Sequence, residues 1–269
     1  MSTYIVKKGD TLRGIALSFY NDAEKYVLIQ EVNNIQNPNL IQVGQAVNVP
    51  EESTRVNDLT SYHNAFGNGV RWRLTEEGIY IEGSGIERTP GAPVTTGRIW
   101  ETYLNPIDKW AEYYNIPCEL IIATIATESE GVSHALRREP GYISDNQTPN
   151  KISIGVMQTL ISTARSTLND PSVDRDWLFD PRNSIQAGTC YIAEQRSRTL
   201  LDPPKVACSY NAGGVYHNNS AGNRWRMTQY PIGSSEHCDR FVKWFNDAVY
   251  VLKNHSVSPF ISYTGFYGI

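Results

Sequence analysis

Ile121–Gly131, IIATIATESEG, is the stretch on which the rest of the chain turns. Leu120, Ile121, Ile122 and Ile125 make an apolar helix, which Pro117 opens and Gly131 closes. Proline suits a first helical turn, and glycine takes the left-handed conformation that ends a helix. Glu128 falls seven residues after Ile121 and three after Ile125, which sets it on the apolar side in the last turn. A carboxylate in an apolar setting resists ionisation. The negative end of the helix dipole pushes the same way. Both raise its pKa toward the range where it can donate a proton at neutral pH. Position alone does not make it functional, because most last-turn glutamates are solvated. Glu130 points elsewhere on the helix and reads as a surface charge.

Three later stretches change that balance. Gly155–Gln158 (GVMQ) precedes a helix predicted over 159–168. Its glycine lets backbone approach a ligand, and Gln158 can both donate and accept hydrogen bonds. Asp180-Pro181 starts a helix that buries Ile185, Gly188 and Ile192. Asp202-Pro203-Pro204 opens a shorter helix that ends in Ser209–Gly213 (SYNAG), which places a tyrosine hydroxyl and an amide at a helix end.

With Glu128-Ser129, these motifs resemble the soluble lytic transglycosylases of the lysozyme-like superfamily, over about residues 104–253. The resemblance implies a mostly α-helical fold. It also implies cleavage of the β-1,4 bond between N-acetylmuramic acid and N-acetylglucosamine, leaving a 1,6-anhydro end. Glu128 matches the family's single acid, which then acts as base, and Tyr210 the tyrosine that orients it. Met157, Gln158, Asn211 and Gly213 are the candidate substrate-binding residues, with Ser129 in support. No metal and no cofactor is implied. One departure is the long segment between Glu128 and Gly155, which carries Arg137, Arg138, Glu139, Asp145 and Lys151. A second carboxylate from it, Asp145 first and Glu139 behind it, would activate water and give a goose-type, hydrolytic enzyme. The alternative for both is a solvated loop charge.

The first fifty residues order as strand, helix, helix, strand. YIVKKGDTL (4–12), FYND (19–22), Asn33-Asn34-Ile35 and NPNLIQVGQAVNVP (37–50) resemble a LysM module. That resemblance implies a glycan groove between the turn at Asp10, Thr11 and Leu12 and the loop at Asn39, Leu40 and Ile41. Similar modules also serve as docking pieces in phage baseplates. Residues 51–103 read as a linker followed by a β-hairpin around Glu76–Gly78. In this segment Tyr62, Trp72 and Tyr80 either line a sugar face or pack the hairpin onto its neighbour. Trp225 is a further candidate for the groove wall. The last long helix keeps a steady apolar stripe from Cys238 to Leu252. Residues 254–269 form an apolar tail that either folds back or docks on a partner.

The predicted class is α+β: a mainly α-helical lysozyme-like domain, a small βααβ LysM domain and a short β-hairpin connector. The net charge of −4 and the lack of a basic block argue against nucleic acid as a partner. No apolar run is long enough to insert in a membrane. The four cysteines, Cys118, Cys190, Cys208 and Cys238, have no metal-ligand spacing and read as buried thiols. The expected partners are peptidoglycan and phage tail or baseplate proteins. The N-terminus lacks the apolar core of a signal peptide. The expected location is therefore a virion tail or injection particle acting in the cell wall or periplasm. The rivals are a free endolysin that uses water and a structural tail protein with an inactive domain.

Overall fold

The computed structural model describes residues 2–20, 23–33, 35, 38–50 and 59–268. The chain is α+β, mostly helical, and forms two compact units, Met1–Ser61 and Tyr62–Ile269.

In the small unit, strand β1 (Ser2–Ile5) pairs antiparallel with β2 (Ala46–Val49), Ser2 opposite Val49 and Ile5 opposite Ala46. Helices α1 (Leu12–Tyr20) and α2 (Tyr26–Val32) lie between them in sequence. Val6, Leu12, Ile15, Ala16, Ile29, Val47 and Val49 form its core. Thr11 caps α1 by accepting the Gly14 N–H at 3.0 Å. Asn33 ties the end of α2 to β2: its Nδ2 donates to the Ile29 carbonyl, and its Oδ1 accepts the Asn48 N–H at 2.7 Å. The expectations placed on Asn21-Asp22, Asn34, Asn37 and the linker at 51–58 lie outside the described residues.

In the large unit, β3 (Trp72–Thr75), β4 (Gly78–Ile81) and β5 (Gly85–Ile86) make a three-stranded antiparallel sheet. The hairpin expected around Glu76–Gly78 lies in the same compact unit as the helices. Trp72 is wholly buried and its Nε1 donates to Asp202 Oδ1 at 2.9 Å. Asn246 clamps the other edge, accepting the Ile79 N–H at 2.7 Å and donating to the Ile79 and Glu87 carbonyls. A Cβ on Gly78 would sit 2.2 Å from Asn246 Oδ1, so only glycine admits this clamp.

The helices follow. α3 (Val94–Tyr114) has Pro106 in its interior and departs from helical geometry at Tyr103. That break reflects a proline inside a helix, which removes one backbone donor and crowds the preceding turn. α4 (Cys118–Ser129) is buried on all sides from Cys118 to Thr127. A second small antiparallel sheet, β6 (Leu136–Arg138), β7 (Ile152–Ile154) and β8 (Thr159–Leu160), leads into α5 (Ile161–Leu168). Then come α6 (Arg175–Phe179), α7 (Pro181–Glu194), α8 (Arg196–Thr199), α9 (Pro203–Ala212), α10 (Glu236–Asn254) and α11 (Tyr263–Tyr267). Asp180 caps α7, accepting the Arg182 N–H.

The tail folds back. Ile261 accepts the Cys118 N–H at 3.0 Å, Asp108 accepts the Phe260 N–H, and Tyr263 is buried edge-on against Phe245. All four cysteines are free.

Candidate active site

Two tight turns bring the site together. At the end of α4, Glu130 and Gly131 both take positive φ, 52° and 84°. Tyr103 donates to the Gly131 carbonyl at 2.8 Å, and Arg98 to the Glu130 carbonyl at 2.6 Å. Between β7 and β8, Gly155 has φ +79°, and a Cβ there would meet the Leu178 carbonyl oxygen at 2.3 Å. The two turns are joined by Ser129, whose Oγ donates to the Val156 carbonyl at 2.6 Å. Ser129 therefore locks the acid-bearing helix end to the GVMQ loop.

Glu128 sits beside that lock, with 19 % of its side chain accessible. Burial raises its pKa to about 7, against the opposing charges of Arg240 and Arg137. His237 Nε2 lies 3.8 Å from Glu128 Oε1. Burial, helped by the Arg240 charge, lowers the His237 pKa to about 4, so the ring is neutral near pH 7. Tyr210, at the end of α9, donates to the Met157 carbonyl at 2.8 Å and lies 3.2 Å from Thr159 Oγ1. Burial, and behind it the Glu128 charge, pushes its phenol well above the usual range, so it stays a neutral donor.

The structure redistributes several expected roles. Met157 is wholly buried and packs on Gly188, so its side chain cannot touch substrate. Only its backbone serves the site, as the acceptor for Tyr210. The Gln158 amide nitrogen donates to the Ala135 and Gly155 carbonyls, both at 2.9 Å, and braces the loop from a residue at φ +47°. Asn211 accepts the Tyr230 N–H at 2.6 Å and faces His237 Nδ1 at 3.4 Å. Gly213 ends α9 at φ +78°. Trp225 is fully buried, its Nε1 bound to Asp239 at 2.7 Å, and is core rather than groove. Trp72 is core as well, while Tyr62 and Tyr80 meet edge-on beneath Arg73.

Both second-carboxylate candidates carry arginine partners. Asp145 accepts from Arg175 Nε at 2.9 Å and from its NH2 group at 2.7 Å, and from the Tyr142 hydroxyl at 2.7 Å. These bonds hold its carboxyl below the usual range. Glu139 pairs with Arg137 at 2.9 Å.

In the small unit, Asp10 accepts from the Lys7 N–H and the Tyr4 hydroxyl, Thr11 caps α1, and Leu12 is core. The expected contact of Leu12 with glycan is thus corrected. Of the facing loop, Leu40 is 72 % exposed, Asn39 is exposed, and Ile41 packs on the core.

A separate depression of about 540 Å³ lies beyond the end of α9, lined by Phe66, Arg198, Lys205 and Gly214–Tyr216. Among the described residues there is no His, Cys, Asp and Glu cluster fit to hold a metal. None of the described helices is long and apolar enough to cross a membrane.

Tyr210 at the mouth of α9, the GVMQ turn and a lone half-buried glutamate form one constellation. Residues 105–230 match the Transglycosylase SLT domain. Residues 4–50 match the LysM domain. The SLT segment thus carries Glu128, the GVMQ turn and Tyr210, but it ends before His237 and all of α10. Membrane-bound lytic murein transglycosylase C of Pectobacterium atrosepticum is 28 % identical over 178 residues, covering 54 % of this chain and 45 % of that protein. N-acetylmuramoyl-L-alanine amidase XlyA of Bacillus subtilis is 49 % identical over 51 residues, 19 % of this chain and 16 % of that protein. An uncharacterized protein of Deinococcus radiodurans is 47 % identical over 49 residues, 18 % of this chain and 19 % of that protein. The chain spans less than half the length of each of these relatives.

Sequence reasoning missed His237, Arg240 and Glu119. A signal for His237 was present. It lies four residues before Phe241 and eight before Phe245, on the same apolar stripe of α10. A histidine inside such a stripe is buried, and a buried histidine needs partners.

Proposed function

We propose that the large unit is a peptidoglycan lytic transglycosylase that uses Glu128 alone, first as acid and then as base. The observation that carries this reading is the state of Glu128: half-buried, raised to about 7, and beside a neutral tyrosine donor. Near pH 7 such a carboxyl holds a proton part of the time and can give it to the glycosidic oxygen. As the C–O bond to the anomeric carbon breaks, the substrate's own acetamido oxygen supports the cation that forms. The carboxylate left on Glu128 then takes the proton of the sugar's 6-hydroxyl, whose oxygen closes on the anomeric carbon. Glu128 ends protonated again, and no water is consumed. Two-carboxylate glycosidases divide these tasks between two residues.

The engagement of Asp145 by Arg175 favours this route over the water-using muramidase. Digestion of purified peptidoglycan, with mass spectrometry of the fragments, tests it. Anhydro ends are expected. Reducing ends would mean hydrolysis, and no cleavage by either the native protein or Glu128→Gln would mean a structural protein.

We propose further that the small unit holds wall glycan and that the enzyme works from a phage tail or injection particle. The LysM match and the exposed Asn39–Leu40 loop support the first. The second rests on the use of similar modules as docking pieces in phage baseplates and draws nothing from the apolar tail, which is folded onto the large unit. Detection of the chain in purified virions tests it, and absence there would remove it.

A further inference from the structure

We propose that His237 is a positioning residue for Glu128, held by Asn211 in the tautomer that carries its proton on Nε2 and aims that N–H at Glu128 Oε1. The inference rests on the acid-then-base reading of Glu128 given above. It begins with a backbone group. The Tyr230 N–H donates to Asn211 Oδ1 at 2.6 Å, which fixes the orientation of the amide. The amide nitrogen is thereby turned to His237 Nδ1, 3.4 Å away. An amide NH2 can only donate, so the nitrogen it meets presents a lone pair.

The ring is neutral and has a single N–H, because burial leaves only 5 % of the side chain accessible and holds the imidazole uncharged. That N–H is then on Nε2, which points at Glu128 Oε1 across 3.8 Å. The gap is longer than a hydrogen bond. Catalytic contacts of this kind often tighten only when substrate docks. α10 carries His237 in its first turn and packs against α4, so both ends of the contact stand on long helices.

The consequence is chemical. An N–H donor favours the carboxylate over the acid. It steadies Glu128 after the proton has gone to the leaving oxygen, and it holds Oε1 so that Oε2 faces the sugar. Two charges act on the same carboxyl, Arg240 from α10 and Arg137 from β6, and the neutral Tyr210 from α9 lies near it. Arg98 from α3 is occupied by the Glu130 carbonyl. The Ala207 carbonyl is also within reach of the ring and competes for its single N–H. With the proton on Nδ1, Nε2 would present a lone pair, and the effect on Glu128 would reverse sign.

Nitrogen NMR of His237 in the native full chain reads the tautomer directly, and carbon NMR of the Glu128 carboxyl against pH reads the coupling. The proton is expected on Nε2. His237→Phe is expected to raise the Glu128 midpoint by about half a unit to one unit. His237→Gln, which can still present an N–H near the same place, is expected to keep it within about 0.3 unit. On peptidoglycan, kcat is expected to fall roughly tenfold in His237→Phe with KM little changed, and to recover in His237→Gln. A proton on Nδ1, or a Glu128 midpoint that falls or stays fixed in His237→Phe, overturns the proposal. If the native protein titrates as expected yet cleaves nothing, the proposed function fails and the tautomer assignment stands.

Discussion

Helix α4 carries one glutamate near each end, and burial raises the pKa of both to about 7, yet their occupations differ. Glu119, in the first turn, is 2 % exposed and is raised by burial to about 7. Glu128, in the last turn, is raised by burial to the same value. Glu119 holds the Tyr263 N–H between its two oxygens, 3.2 Å from each, and so pins the C-terminal tail. Glu128 has a neutral histidine 3.8 Å away and an opening to solvent. A raised pKa therefore marks burial, and burial alone does not mark catalysis. What separates the two is a free oxygen that a substrate can reach.

The sharpest way to break the comparison is to remove the acid function from each. Glu128→Gln is expected to lower release of soluble fragments from purified peptidoglycan by about a thousandfold. Its fold should be kept, because the amide fits where a half-protonated carboxyl sat. Glu119→Gln is expected to leave turnover per folded molecule unchanged. Comparable loss in both would mean that the tail, not the chemistry, limits activity.

Stability should divide them the other way. Glu119→Ala leaves the Tyr263 N–H without an acceptor and opens a space in the core, so unfolding in denaturant should become easier by about 2–4 kcal/mol. Glu119→Gln keeps an acceptor and should cost less than about 1 kcal/mol at pH 5. If the alanine variant unfolds like the native chain, the tail is not held by Glu119.

The shared pKa has a shared consequence for pH. Both carboxyls are raised from an unfolded value of about 4.3, so between there and about 7 the native chain binds more protons than the unfolded one. Their stabilising contribution is full below pH ~4.3 and is lost as pH rises through about 7. His237, lowered to about 4, works in the opposite sense, and its contribution is lost as pH falls below ~6.5. Glu119→Gln should therefore gain on the native chain as pH climbs, by on the order of 2 kcal/mol across that window. Thermal melts at pH 5 and pH 7.5 read the difference, and a constant gap would show that Glu119 ionises as easily folded as unfolded.

How much of this the sequence revealed follows from the range of the interactions. Gly131, Gly155, Asp180 and the SYNAG helix end are local signals, and each is found where its residue type places it. The apolar-face argument for Glu128 arrives at a raised carboxyl, but for an incomplete reason. α4 has no solvated face from Cys118 to Thr127, so the seven-residue spacing from Ile121 singles out nothing. The same burial hid Glu119, which reads in sequence as an ordinary first-turn acid favoured by the helix dipole. Its acceptor role depends on a tail residue 144 positions away. The hairpin was legible as a hairpin, but its place was not, because the Asn246 and Asp202 contacts join distant segments. The Met157 side chain, a candidate for substrate contact by its place in the GVMQ motif, fills the space above Gly188. Adjacency in a motif does not settle which way a side chain points.

The smallest effect is expected at Asp145, and it sharpens the comparison from outside α4. Asp145 is held below the usual carboxylate range by Arg175 and Tyr142, so it is ionised near pH 7. Ionisation suits a base that activates water, but its oxygens are taken: Oδ1 accepts from both Arg175 and Tyr142, and Oδ2 from Arg175. Asp145→Asn would loosen this corner by about 1 kcal/mol, since the pair is partly exposed and screened. Turnover should fall by no more than about threefold, through the shape of the loop and not through the chemistry. The decisive readout is the product. With Glu128 acting alone, the fraction of anhydro ends is the same in Asp145→Asn as in the native enzyme. If Asp145 activates water, the variant loses reducing-end product while keeping the anhydro route, and the single-carboxylate account gives way to a two-carboxylate one.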